Sequence, residues 1–257
     1  MASDNMSHAQ LQLEGLASFS AQNHMLPNEI KTKYMVYGNY RKTDITTLTL
    51  NGKEIERVDE YKSLGNILKT IKTNRGNIFK LTPEYLNKRA RQAIFGLKKK
   101  LKSLGQLPSK HMFYIYESMV EPILLYGSDI WGAYCSCTKE IDKVFFWYIR
   151  MVLKVKATTC NIITIGESGM IPPRVKCHRN SILYFIRINS LPRGSIVKNV
   201  FNALQELNNS GFRNWYTAVC ELASYYGIDI HSHQFNDSTK KKYQISFEVS
   251  FCKKLDE

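Results

Sequence analysis

The sequence predicts an α+β protein: a small antiparallel sheet near the start, followed by a mostly helical body. Three observations carry this. Strand-like runs crowd residues 33–68, around one strong two-residue turn. From residue 82 onward the apolar positions recur at helical spacing. Hydrophobic residues make up 44% of 257, enough for a core and for more than one subdomain. Boundaries are expected to divide the chain into 1–69, 70–160 and 161–257.

Residues 8–23 have the spacing of an amphipathic helix, with Leu11, Leu16 and Phe19 on or near one face, and Pro27-Asn28 breaks it. KYMVY at 33–37 reads as a short strand. ITTLTL at 45–50 and KEIERV at 53–58 flank Asn51-Gly52, a hairpin signal because both turn positions need positive φ. YKSLGNIL at 61–68 reads as a third strand. Thr82-Pro83-Glu84 starts a helix with a hydroxyl cap, a proline at the first helical position and an acid in the first turn. Its apolar stripe is Leu86, Ala90, Ala93, Ile94, Leu97, Leu101 and Leu104, and Gly105 stops it. Ser109 caps a second helix, which Pro122 kinks or ends by removing a backbone donor. Thr138 caps a third over 139–154, packed through Ile141, Val144, Phe145, Tyr148 and Val152. Residues 162–171 with Pro172-Pro173 form a break, and helices follow over about 174–191, 195–208 and 212–226. One further strand, YQISFEV, is expected at 243–249.

The charge balance narrows the function classes. There are 36 Lys and Arg against 22 Asp and Glu, a formal +14. Such an excess favours a polyanionic partner, most often nucleic acid; a soluble protein that is simply basic is the alternative. The excess is concentrated: from Lys69 to Lys102 there are eleven basic residues and one acid, Glu84. Lys88, Arg91, Lys98, Lys99 and Lys102 share the face opposite the apolar stripe, with Phe95 among them. A solvated lysine face is the ordinary reading of such a cluster. Phe95 favours nucleic acid, since an aromatic ring can stack on a base while the cations hold phosphates.

Several classes are disfavoured. The start, MASDNMSHAQ, has no basic-then-apolar leader, and no run approaches the ~20 apolar residues of a membrane span. A nuclear or cytoplasmic protein with no membrane partner is expected. The six cysteines, at 135, 137, 160, 177, 220 and 252, are scattered as in a protein with reduced thiols. Cys135, Cys137, Cys160 and Cys177-His178 match no common zinc spacing, so no metal set is assigned. There is no phosphate-cradling glycine loop and no nucleophile elbow. No pair of carboxylates stands on a strand-turn-strand, so no catalytic residue and no bound cofactor are assigned.

The run from Asn28 to Tyr37, NEIKTKYMVY, resembles the segment after the catalytic aspartate pair in the reverse transcriptases of non-LTR (LINE-type) retrotransposons. IERVDEYKSLGN, Ile55 to Asn66, is similar to that family's next strand and its primer-grip motif. Here the motif reads Tyr61-Lys62-Ser63-Leu64-Gly65, with Ser63 where the family carries an aromatic residue. Arg89-Ala90 with Leu97 resembles the first thumb helix. The most specific match is Glu121 to Gly132, EPILLYGSDIWG. Thr159, Asn161, Gly166-Glu167-Ser168-Gly169 and Pro172 are similar to the segment after the thumb, so the likeness covers roughly residues 10–190.

The resemblance implies the end of a palm over 1–69, a thumb-like region over 70–160 and a helical post-thumb region over 161–257. It also implies RNA-directed DNA polymerase as the parent activity, with the aspartates and their magnesium ions belonging upstream of residue 10. This chain alone is then expected to be inactive as a polymerase and to retain binding of primer-template duplex. The nucleic-acid contacts implied are Lys31, Tyr61, Lys62, Gly65, Lys88, Arg91, Phe95, Lys98, Lys99 and Lys102. Lys31 has two readings: a lysine near the incoming triphosphate in the parent enzyme, or a surface lysine at a strand edge. Three other readings stay open: a reused nucleic-acid-binding module, a protein-interaction module, and a relic with no selected function.

Overall fold

A computed structural model of the chain describes residues 3, 5–38, 47–71, 77–105 and 107–230, without the side chains of Leu104 and Cys135. The strand expected at 243–249, Cys252, residues 45–46 and the Leu104 side chain lie outside the described residues. The α+β class holds, with helices dominating and strands only in pairs. Two units make up the chain: Met1–Ser63 with Ile67–Ile78, and Leu64–Asn66 with Phe79–Glu257. Among the described residues no helix is long and apolar enough to cross a membrane.

In the first unit, helix α1 (Met6–Gln22) is capped by Asn5, whose side chain accepts from the His8 amide. Its packed face differs from the expected one. Leu13 is buried with Met6, Ala9 and Ala17 against it, whereas Leu11 and Phe19 are exposed. The reason is a long-range anchor: the Gln10 side chain bonds both backbone groups of Thr49, at 2.9 and 3.1 Å, and so sets the rotation of the helix. Strands β2 (Thr49–Leu50) and β3 (Lys53–Glu54) pair antiparallel across Asn51-Gly52, with φ of 53° and 77°. Both turn residues are left-handed, as the hairpin signal requires. β1 (Lys33–Tyr34) pairs parallel with β4 (Glu56–Arg57), so the sheet is not wholly antiparallel.

YKSLGNIL is not one strand. It is two, β5 (Glu60–Ser63) and β6 (Asn66–Lys69), joined at Leu64-Gly65 with φ of 46° and 86°. Gly65 therefore supplies a tight turn rather than a strand end.

The second unit is helical. α2 (Thr82–Leu101) buries Leu86, Ala90 and Ile94 as expected. Thr82 is not its cap; Leu81 holds that position and Thr82 is fully buried in the first turn. α3 (Ser109–Ile115) begins after Pro108, so Ser109 is its first residue and not the cap. A five-residue π turn over Tyr116–Val120 then leads into α4 (Glu121–Leu124), where Pro122 sits in the first turn. The wider π turn absorbs the register change ahead of the proline without ending the chain direction. α5 (Ser128–Trp131) and α6 (Cys135–Leu153) follow. α6 begins earlier than expected, and Thr138 lies buried inside it, 2.9 Å from His178 Nε2.

The expected break at 162–171 is largely a helix, α7 (Asn161–Ser168), closed by left-handed Gly169. Then come α8 (Pro173–Asn189), α9 (Ile196–Asn209) and α10 (Trp215–Tyr225). One core joins α2, α4, α5 and α6 through Ile94, Leu124, Trp131, Ile141 and Phe145; a second joins α8, α9 and α10 through Ile182, Phe185, Phe201 and Val219.

His178, on α8, is held between Thr138 and the Tyr226 hydroxyl, which lies 2.8 Å from Nδ1. Burial, with help from Arg174, lowers its pKa to about 3. The neighbouring Asp142 is pushed the other way, to about 7, because burial outweighs its pairing with Arg174. His178 protonates in the unfolded chain first, so its contribution to stability is lost as pH falls from about 6.5. Asp142 binds its proton more tightly when folded and opposes that loss over much of the same range. His178→Gln cannot take up the proton. Its stability relative to wild type is expected to rise by about 1.4 kcal/mol per unit of acidification below pH ~6.5, read from urea titrations. Parallel pH profiles for the two proteins would refute this.

Candidate nucleic-acid interface

α2 presents its polar face to solvent as a cationic ridge. Lys88, Arg91, Lys98, Lys99 and Lys102 are all exposed, and Phe95 is 58% exposed among them. The first four and Phe95 lie on α2 and Lys102 opens the 3-10 turn that continues it; their spacing at ~100° per residue places them within one stripe, over about 21 Å of axis. Among the described residues none of these five cations pairs with a carboxylate. Helix propensity and burial of the opposite stripe hold them there at no cost in desolvation.

α6 packs beside α2 and brings a residue that the sequence reading passed over. Half-buried Trp147 packs tilted against Phe95, with ring centroids 5.7 Å apart and 53° between the planes, and the Arg91 guanidinium lies 5.3 Å above the Trp147 ring. The result is a surface of two aromatic rings and a guanidinium with lysines along one side. Trp147 also carries cations on its own helix: Lys139, Lys143, Arg150 and Lys154 recur at three- and four-residue intervals with it. That periodicity is present in the sequence, on the side of the helix away from its apolar stripe. Lys143 is paired with Glu140 at 2.6 Å.

The remaining expected contacts fall elsewhere. Lys31 sits in a turn in which its amide donates to Asn28, 2.9 Å from Oδ1, and its side chain is exposed. Tyr61 and Lys62 are both exposed on β5. These three belong to the first unit and the α2 ridge to the second. Gly65 belongs to the second unit. A Cβ there would stand 2.7 Å from the Tyr126 ring, whose hydroxyl donates to the Leu64 carbonyl at 2.8 Å. Gly65 thus serves close packing of its own turn.

EPILLYGSDIWG is likewise spent on architecture. Leu124 and Trp131 are fully buried, and Trp131 Nε1 donates to the Tyr126 carbonyl at 2.9 Å. Gly127 is left-handed, and its missing Cβ leaves room for the Asn66 side chain. The Ser128 hydroxyl accepts from Asn180 and its carbonyl from Ser181, at 2.9 and 2.8 Å, which ties α5 to α8.

Among the described residues no three His, Cys, Asp or Glu side chains converge as a metal-ligand group. The geometry can hold an extended polyanion. No family model, curated protein or solved structure matches the chain.

Proposed function

We propose that this chain is a stretch of a non-LTR retrotransposon reverse transcriptase, from the end of the palm through the thumb, whose own capability is binding the backbone of a nucleic-acid duplex. The motif likeness over roughly residues 10–190 supports the family. The observation that carries the binding reading is the α2 ridge, five cations with no carboxylate partner among the described residues beside the Phe95–Trp147 ring pair. Lysines along a helix suit phosphates spaced along a strand and carry little sequence preference. The exposed Phe95 ring, backed by half-buried Trp147, supplies a stacking surface for a base or sugar at a frayed end.

The test is fluorescence anisotropy with an RNA–DNA hybrid across a salt series. Lys98→Glu with Lys99→Glu is expected to weaken binding at least about tenfold at low salt and to flatten the log–log salt slope by about 2. Superimposable wild-type and variant curves across the series would overturn the proposal.

A further inference from the structure

One face of α6 meets the first turns of α7 and α8 around a cavity of about 360 Å³ that the duplex reading does not use. Lys139, Asp142, Lys143, Phe146 and Arg150 line it from α6, Asn161 from the start of α7 and Arg174 from the start of α8. We propose that this cavity is a binding site for a phosphoryl dianion.

Charge is the first argument. Four cationic side chains face the cavity, while the carboxylates at hand are already engaged: Asp142 with Arg174 at 3.1 Å and Glu140 with Lys143 at 2.6 Å. Lys139 and Arg150 then have no carboxylate partner among the described residues. Lys139 and Lys143 lie one turn apart, where like charges repel. A dianion between them reverses the sign of that interaction.

Donor geometry is the second. Arg150 is fixed before any ligand arrives. Its Nε and Nη2 donate to the Thr159 carbonyl at 3.1 and 2.7 Å, Nη2 also donates to Asn161 Oδ1, and Phe146 lies under the guanidinium at 5.6 Å. Its Nη1 keeps two donors with no hydrogen-bond partner among the described residues. The fork is therefore held by three partners and still has one arm to give. Lys139 and Lys143 add mobile ammonium groups on the exposed side. The start of α7 has no side-chain cap, so its amide end adds to the positive potential. α8 contributes less, because Asp142 already accepts the Arg174 amide at 3.1 Å.

Size is the third. The cavity is larger than one phosphate, so it admits inorganic phosphate, pyrophosphate, or the terminal phosphate of a nucleotide with part of its sugar. All share the same recognised group. The residues differ from those of the α2 ridge, so this site stands or falls separately from duplex binding.

Isothermal titration calorimetry of the full chain with inorganic phosphate, pyrophosphate and a nucleoside 5′-monophosphate tests it. Wild type is expected to bind at least one of them saturably. Lys139→Gln with Lys143→Gln, both exposed positions, is expected to weaken binding about tenfold or more with an unchanged melting profile. Lys98→Glu with Lys99→Glu is expected to leave it unchanged. Tighter binding of the monophosphate assigns the site to a nucleotide terminus, and tighter binding of the inorganic ions assigns it to the free anion. No saturable binding of any of the three, or equal binding by the Lys139/Lys143 variant, would overturn the proposal.

Discussion

Gly132→Ala is expected to lower the melting temperature of the helical unit by roughly 6–12 °C, equivalent to about 3 kcal/mol at the 2–4 °C per kcal/mol of a domain this size. A Cβ at this position would stand 2.5 Å from the Cys177 carbonyl oxygen and 2.9 Å from Ser181 Oγ, and would strike the Ser128 carbonyl as well. Two of the three obstacles are backbone, so rotamer changes cannot relieve them; α5 and α8 must move apart. That opens a boundary containing the Ser128–Ser181 hydrogen bond and the fully buried Trp131. Overpacking typically costs about 1–3 kcal/mol, and more where backbone must shift. One effect works in the opposite direction. Gly132 has φ of −65°, which alanine adopts freely, so the substitution lowers unfolded-state entropy and returns about 0.5–1 kcal/mol. The steric cost is larger. Far-UV circular dichroism melts decide the matter, and a shift below about 2 °C would show that the two helices can separate cheaply.

Lys176→Met is the second large effect, with an expected loss of about 3 kcal/mol near pH 8. Lys176 Nζ lies 2.7 and 2.8 Å from the two carboxylate oxygens of Glu121, whose side chain is 8% exposed. Burial already raises the Glu121 pKa, and Lys176 is the main group holding it down. Without the lysine, the folded state must keep an unpaired buried carboxylate or bind a proton. A raised folded pKa makes the native state the better proton acceptor, so the loss is greatest at high pH and shrinks as pH falls toward about 4.5. Glu117, 3.8 Å from Lys176 and half exposed, contributes little by comparison. The double substitution Glu121→Gln with Lys176→Met is expected to recover most of the loss, since neither partner then carries an unmatched charge. Urea denaturation at two pH values is the measurement. A pH-independent loss, or no recovery in the double variant, would place the cost in packing instead.

Much of the helical body was legible in the sequence because its signals are local. The stripe Leu86–Ala90–Ile94 predicted both the existence of α2 and which side is buried. Ile141, Val144, Phe145 and Tyr148 did the same for α6. Helix starts were less legible. Thr82, Ser109 and Thr138 each looked like a cap, yet each lies inside its helix, because Pro108 and the Tyr134 turn supply earlier starts and because Thr138 is needed by His178. α7 escaped notice because Gly166 and the following prolines outweighed a short apolar pattern. The α2 ridge was readable residue by residue, but its aromatic partner Trp147 comes from another helix, and the phosphoryl cavity needs the ends of two more.

By itself, the sequence determined where basic charge accumulates, which helix carries it, and that Asn51-Gly52 must turn a hairpin. Those follow from composition, period and allowed φ, all of which act over a few residues. Only the tertiary structure decided that Leu64-Gly65 turns a second hairpin, that EPILLYGSDIWG is spent on close packing, and that Phe95 stands on Trp147. These depend on which surfaces meet, and distant segments meet where buried volume and hydrogen-bond partners match, a condition no local pattern records.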